Sequence, residues 1–126
     1  MPTSKLKFYT FTQNNSGGSF VLDKEKGLTQ YVIIQADGTE EANSRAENAG
    51  IYFDGVDNRL DCHCCGDRWH RAEYDGGKNS PLIYGESPQE FVKQKNFFQQ
   101  KDTVAIHYYD GRIEFINKMA DFACIE

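Results

Sequence analysis

Residues 62–70 hold three of the chain's four cysteines and two of its three histidines. Thiolate and imidazole are the ligands that Zn²⁺ prefers in proteins. Cys62 and Cys65 have the spacing of a zinc knuckle, in which a tight turn directs two sulfurs at one ion, and Gly66 follows them. Cys64 and His70 are the candidates for a third ligand. The segment therefore predicts a Zn²⁺ site.

The fourth zinc ligand is the open part of this prediction. A strong zinc signature contains two Cys-x-x-Cys pairs, and this chain contains one. His63, His107 and Cys124 are the further residues with suitable chemistry. The alternative interpretation is that the thiols are small buried groups packed in a turn-rich core.

Two arginine–aromatic pairs form a second candidate set. Arg68 precedes Trp69, and a two-residue turn at positions 110 and 111 would place Arg112 across from Tyr109. A guanidinium can fork onto a phosphate while a ring stacks on a base, so both pairs indicate nucleotide binding. The alternative is structural: Trp69 anchors the chain to the core and Arg68 pairs with a neighbouring acid.

A run of turn-forming residues supplies further candidate donors. Asn and Gly tolerate positive φ, so such a run can curl tightly and direct its backbone N–H groups at an anion. The residues are Asn14, Asn15, Ser16, Gly17 and Gly18. The alternative is a plain connection between two strands.

Catalytic signatures are missing from the sequence. It contains no nucleophile elbow, no phosphate-binding P-loop and no metalloprotease motif. A zinc deaminase needs H-x-E and P-C-x-x-C, and neither is complete here. A thiolate–imidazole pair between Cys64 or Cys65 and His70 is the remaining catalytic option. The sequence therefore predicts a binding protein rather than an enzyme.

Hydrophobic periodicity predicts one domain over residues 1–126 that contains four strands and two helices. The predicted strands are 5–12, 30–36, 103–109 and 112–117, and the two helices have Thr39 and Ser87 as their predicted N-caps. Residues 54–80 lack periodicity and are predicted to be an irregular insertion around the cysteines. This order is typical of an α+β fold: an antiparallel or mixed sheet with two helices on one face.

The composition of the chain limits the kinds of partner that it is expected to bind. The chain has 19 acidic and 14 basic residues and a net charge of -5, which argues against binding to duplex DNA or an anionic membrane surface. No apolar run approaches the ~20 residues of a membrane span, and the N-terminus lacks the apolar region of a signal peptide. The cysteine pattern is not that of a secreted disulfide framework, so a reducing cytoplasm is predicted.

Four segments resemble small proteins encoded by tailed bacteriophages. They are FYTFTQNNSGGSF (8–20), YVIIQA (31–36), GIYFDG (50–55) and DCHCCGDRW (61–69). The predicted architecture is similar to that of Thoeris anti-defence proteins, which form oligomers and sequester cyclic ADP-ribose-type and cyclic oligonucleotide signals without cleaving them.

The resemblance implies a phage counter-defence protein that acts as a homo-oligomer in the cytoplasm of the bacterial host cell. An oligomer is also expected because a pocket between subunits buries a nucleotide better than one small domain does. The alternative is a zinc-stabilised interaction module that inhibits a host protein by direct contact, as anti-CRISPR and host-takeover proteins do. The excess of acidic residues favours this alternative.

Overall fold

The computed structural model describes residues 6–14, 23–61, 66–73, 76–94 and 104–116. Over these ranges the chain forms β1 (Lys7–Thr12), β2 (Tyr31–Ala36), α1 (Thr39–Asn48), α2 (Pro88–Gln94), β3 (Val104–His107) and β4 (Ile113–Ile116), with one 3-10 turn at Lys24–Lys26. None of the helices in these ranges is long and apolar enough to cross a membrane.

The four strands form one mixed sheet in the order β1-β2-β3-β4. β1 and β2 are antiparallel, β2 and β3 are parallel, and β3 and β4 are antiparallel. Parallel strands need a long crossover connection. Here that connection contains both helices and the irregular segment between them. The predicted α+β class, with a mixed sheet and two helices, is confirmed.

The two helices lie on opposite faces of the sheet, which corrects the expectation that both lie on one face. On one face, Ala42 and Ala46 of α1 belong to a core that includes Val32. On the other face, Phe91 of α2 belongs to a core that includes Ile33. Successive residues of a strand point to opposite faces, so adjacent β2 residues in separate cores identify two covered faces. The continuous apolar run in β2 is buried because a helix packs on each face of the sheet.

The N-cap of α1 lies one residue before Thr39, the predicted N-cap. Gly38 occupies the N-cap position without a side-chain hydrogen bond, and Thr39 is the first helical residue. The Thr39 hydroxyl instead donates to the backbone carbonyl of Glu73 at 3.1 Å, which ties the helix to the insertion. At the other end Gly50 follows the C-cap Ala49 with φ 109°, a positive value typical of a glycine that ends a helix.

The β3–β4 hairpin has a three-residue loop, where a two-residue turn was predicted. The N–H of Tyr108 donates to the carbonyl of Arg112 at 2.8 Å, and the N–H of Gly111 donates to the carbonyl of Tyr108 at 3.0 Å. Gly111 has φ 97°, which is typical of a type I turn followed by a glycine bulge. The predicted register is therefore wrong by one residue, and His107 pairs with Ile113.

Candidate functional site

Arg68 lies inside a buried polar network that joins the insertion to β1. Its Nε donates to the Tyr52 hydroxyl at 3.0 Å, and its Nη1 donates to Gln13 Oε1 at 3.0 Å. The carboxylate of Asp61 lies 3.6 Å from the same Nε, with a side-chain exposure of 0%. We call these four side chains the Arg68 network.

The remaining contacts of Asp61 complete the network. Its carboxylate accepts a hydrogen bond from the Tyr52 hydroxyl at 2.6 Å and one from the backbone N–H of Arg68 at 2.7 Å. Burial and the hydrogen bond to Asp61 raise the pKa of Tyr52, so its hydroxyl stays protonated and donates. The Arg68 guanidinium is thereby committed to internal partners rather than directed at a ligand.

Trp69 and Asn14 also lie in structural positions. Trp69 is 1% exposed in the core beside α1, so its ring has no free face on which a base can stack. The backbone N–H of Asn14 donates to the carbonyl of Arg68 at 2.8 Å, and its side-chain amide donates to Asp67 at 3.3 Å. The other predicted donors, residues 15–18, lie outside the described residues.

The predicted zinc ligands fall largely outside the described ranges. Cys62, Cys64 and Cys65 are outside them, and His70 is an exposed residue beyond the gap. Within the described ranges no three His, Cys, Asp or Glu side chains are grouped so as to hold a metal ion. The zinc site stays a prediction.

The hairpin separates Arg112 from Tyr109, because the three-residue loop shifts the pairing by one position. Arg112 lies over the ring of Tyr108, 4.1 Å from its centroid. Tyr109 lies instead beneath the guanidinium of Arg45, 5.3 Å from its ring centroid. Tyr109, whose ring is exposed, is thus paired with an arginine of α1 instead of with Arg112.

Arg45 joins α1 to the sheet. Its Nη2 donates to the carbonyl of Tyr108 at 3.0 Å, and its Nη1 donates to the carbonyl of Gln35. Glu41 lies four positions before Arg45 on α1, the spacing of a helical ion pair, but its carboxylate accepts a hydrogen bond from the Tyr109 hydroxyl at 3.2 Å. The sequence contained no signal for this arrangement, since the partners of Arg45 lie on other elements.

Beside Arg45 lies a cavity of about 230 Å³, which we call the basic pocket. Its lining residues are Lys26, Ile34, Arg45, Asn48, Ala49 and His107. Among the described residues, the polar part of this lining consists of two cations, one amide and one imidazole, and none is a carboxylate. In a chain with more acidic than basic residues, this is a local concentration of positive charge and hydrogen-bond donors.

The imidazole in the basic pocket is neutral. Burial, with the nearby charge of Arg45, lowers the pKa of His107, although its hydrogen bond to the carbonyl of Gly27 acts in the opposite direction. Nε2 lies 2.8 Å from that carbonyl oxygen, so in the neutral ring Nε2 carries the proton and donates. This leaves Nδ1 as an acceptor.

The lowered pKa of His107 predicts acid sensitivity. The unfolded chain binds a proton at this residue below about pH 6.5 while the folded chain resists it, so the free energy of unfolding falls as pH decreases through that value. Urea unfolding at about pH 7.5 and about pH 5.5 measures the loss. His107→Gln should lose less stability over that interval than the parent. Equal losses in the two proteins would contradict the assignment.

A family model described as "Domain of unknown function (DUF7296)" matches residues 6–123 of this chain. The comparison with curated proteins and the comparison with solved structures each found no match. The matched segment includes every element of the sheet, both helices and the basic pocket. On this match the chain belongs to the DUF7296 family.

Proposed function

We propose that the protein binds a phosphate-bearing nucleotide signal in the basic pocket and sequesters it without cleaving it, as a phage counter-defence protein. The observation that carries the proposal is that the described polar residues lining that pocket are two cations, one amide and one imidazole, beside the exposed ring of Tyr109 that lies under Arg45. The cyclic ADP-ribose-type and cyclic oligonucleotide signals suggested by the resemblance have the matching chemistry: phosphate oxygens, ribose hydroxyls and a base.

Each polar group of the pocket suits one part of such a ligand. The ammonium of Lys26 is exposed and attracts phosphate. Arg45 has five N–H donors, of which the two carbonyl contacts above use two, so others can face a phosphate oxygen. The Asn48 amide and Nδ1 of His107 can bond ribose hydroxyls. Tyr109, 45% exposed, offers an aromatic ring beside the pocket.

The size of the basic pocket supports a site that is shared between two copies of the chain. At about 230 Å³ it is smaller than the roughly 300–1,000 Å³ of pockets that enclose a whole small molecule. It suits the phosphate and ribose of a nucleotide, with the remainder of the ligand at the surface. A second copy of the chain would cover that remainder, in agreement with the expected homo-oligomer.

Replacing Lys26 with alanine should weaken ligand binding by about tenfold or more, because a charge-assisted hydrogen bond contributes roughly 1.5–3 kcal/mol. Lys26→Arg should retain most of the affinity. Equilibrium dialysis against cyclic ADP-ribose isomers and cyclic di- and trinucleotides measures both. Lys78→Ala is the matched control, since Lys78 is an exposed lysine outside the basic pocket whose backbone pairs with Phe8 of β1. Equal effects of the alanine variants would refute this site.

The fate of the ligand distinguishes sequestration from catalysis. Free ligand is measured before incubation, after incubation and after heat denaturation of the protein. Depletion followed by release of intact ligand supports the proposal, whereas an altered product identifies an enzyme. If none of these ligands is depleted, the proposal fails and direct inhibition of a host protein replaces it.

A further inference from the structure

A second cavity, of about 260 Å³, lies along the outer edge of β1. Residues 9–12 of β1 form one wall, and residues 70–73 and 76 of the insertion form the other. We call it the β1-edge cleft. None of its lining residues belongs to the basic pocket, so it is a separate feature of the molecule.

Backbone groups of two threonines face this cleft. Successive residues of β1 direct their N–H and C=O groups to opposite sides of the strand. Phe8 exchanges two backbone hydrogen bonds with Lys78 on the outer side, at 2.8 and 2.9 Å. The alternation therefore places the backbone groups of Thr10 and Thr12 on the outer side as well. Within the described ranges neither threonine has a backbone hydrogen-bond partner on that side.

The insertion is held away from these groups by α1. The backbone N–H of Ala72 donates to Asn43 Oδ1 at 2.8 Å, and the hydroxyl of Thr39 donates to the carbonyl of Glu73 at 3.1 Å. Through these contacts the part of the insertion that forms the opposite wall of the cleft is hydrogen-bonded to α1. Within the part of the chain that the structure describes, the outward backbone groups of Thr10 and Thr12 thus lack a backbone partner and are open to a ligand.

Both ends of the cleft are closed by the chain. At one end Asn14 donates its backbone N–H to the carbonyl of Arg68 at 2.8 Å, and at the other end Phe8 is paired with Lys78. A continuous extended peptide needs an unobstructed strand edge in order to add to a sheet. Here the outer edge of β1 is already hydrogen-bonded on both sides of the cleft, at Phe8 and at Asn14. The cleft therefore admits a compact ligand that enters from the side.

Two of the open groups form a defined recognition pattern. The C=O of Thr10 is an acceptor, and the N–H of Thr12 is the next donor along the same edge. A nucleobase presents a neighbouring donor and acceptor in one plane on its Watson–Crick edge, as the amino group and N1 of adenine do. A cavity of about 260 Å³ suits a single base better than a larger ligand.

We propose that the β1-edge cleft binds the Watson–Crick edge of a nucleobase through the C=O of Thr10 and the N–H of Thr12. This site goes beyond the phosphate contacts of the basic pocket and does not depend on them. An uncharged nucleoside lacks the phosphate that the basic pocket would hold, so it tests the cleft separately. Failure at one site then leaves the other site standing.

The test uses adenosine, with calorimetry for affinity and ¹⁵N amide spectra for location. Adenosine should bind saturably and shift the amide resonance of Thr12. Thr12→Pro removes that donor and is tolerated at an outward edge position. It should weaken binding by about three- to tenfold, the equivalent of one hydrogen bond. Lys78→Ala is the control: Lys78 lies on the same edge outside the cleft and pairs with Phe8 through its backbone, which alanine keeps, so affinity should be retained.

A ligand analogue keeps the test valid if a proline variant does not fold. N6,N6-dimethyladenosine lacks the amino donor and should bind the parent protein several-fold more weakly than adenosine. Equal binding of the two nucleosides would overturn the proposal, as would unchanged affinity in Thr12→Pro or equal losses in Thr12→Pro and Lys78→Ala. So would the absence of saturable adenosine binding, or a shift of the Thr12 amide by a blocked dipeptide and not by adenosine.

Discussion

Asp61→Ala is expected to lower the free energy of unfolding by about 3–5 kcal/mol, because it leaves the charge of Arg68 buried without its carboxylate partner. The two side chains are 0% and 9% exposed, so solvent cannot take over the lost interaction. Tyr52 loses the acceptor of its hydroxyl at the same time. Urea unfolding, followed by circular dichroism, measures the change.

The matched control is Asp54→Ala. Asp54 pairs with Arg71 at 2.8 Å, a shorter separation than the 3.6 Å between Arg68 and Asp61. Both members of the control pair are about half exposed, however, and water screens such pairs and replaces them when they are lost. Asp54→Ala should therefore change stability little. Equal losses in the two variants would show that distance, rather than burial, decides the contribution of these ion pairs.

A double substitution gives the prediction a second check. Arg68→Met combined with Asp61→Leu removes both charges and leaves no unpaired ion in the core. It should be less destabilising than Asp61→Ala alone. If the double variant is the worse of the two, the role of the Arg68 network lies in its hydrogen bonds to Tyr52 and Gln13 instead of in charge compensation.

Gly27→Ala is expected to lower the free energy of unfolding by about 2–4 kcal/mol, because strain and collision add at one position. Gly27 has φ +72°, which alanine adopts only with strain. A Cβ there would also lie 2.7 Å from two atoms of the His107 ring and 3.1 Å from Ile113. Since β3 and β4 hold these neighbours in place, neither can move away freely.

Gly85→Ala separates the two contributions to the Gly27 effect. Gly85 has a similar φ of +83°, but apart from its chain neighbours no atom of the described residues lies within 4 Å of the Cβ that alanine would add. Only the strain remains, so a loss of about 1–2 kcal/mol is expected. Urea unfolding of both variants gives the difference, which reports the collision with His107. If the two variants are equally stable, the Gly27 loop yields and the contact with His107 does not constrain it.

Local patterns in the sequence determined the elements of this protein. The apolar run at 31–34 lies in the predicted strand 30–36 and is typical of a strand buried on both faces; Val32, Ile33 and Ile34 are each 0% exposed. A helix start was predicted at Ser87, and the N–H of Glu90 donates to the Ser87 hydroxyl at 3.3 Å. These signals succeed because the propensity and capping energies behind them depend on residues within about one turn of one another.

The hydrogen-bond partners of the arginine side chains were decided by the tertiary structure. Arg68 is joined by tertiary contacts to Gln13, 55 positions away in the chain, and Arg45 to the carbonyl of Tyr108, 63 positions away. No local spacing encodes such pairs, because a buried charge binds whichever oppositely charged or polar group the packing brings to it.

The placement of the helices and the hairpin register were tertiary outcomes as well. Each helix covers the face of β2 that the other leaves open, which is a requirement of the whole sheet rather than of either helix. In the hairpin, Asp110-Gly111 fits a two-residue turn and a three-residue loop equally well in sequence terms. The pairing of His107 with Ile113 selects the longer loop, and that shift by one residue moved Tyr109 from Arg112 to Arg45.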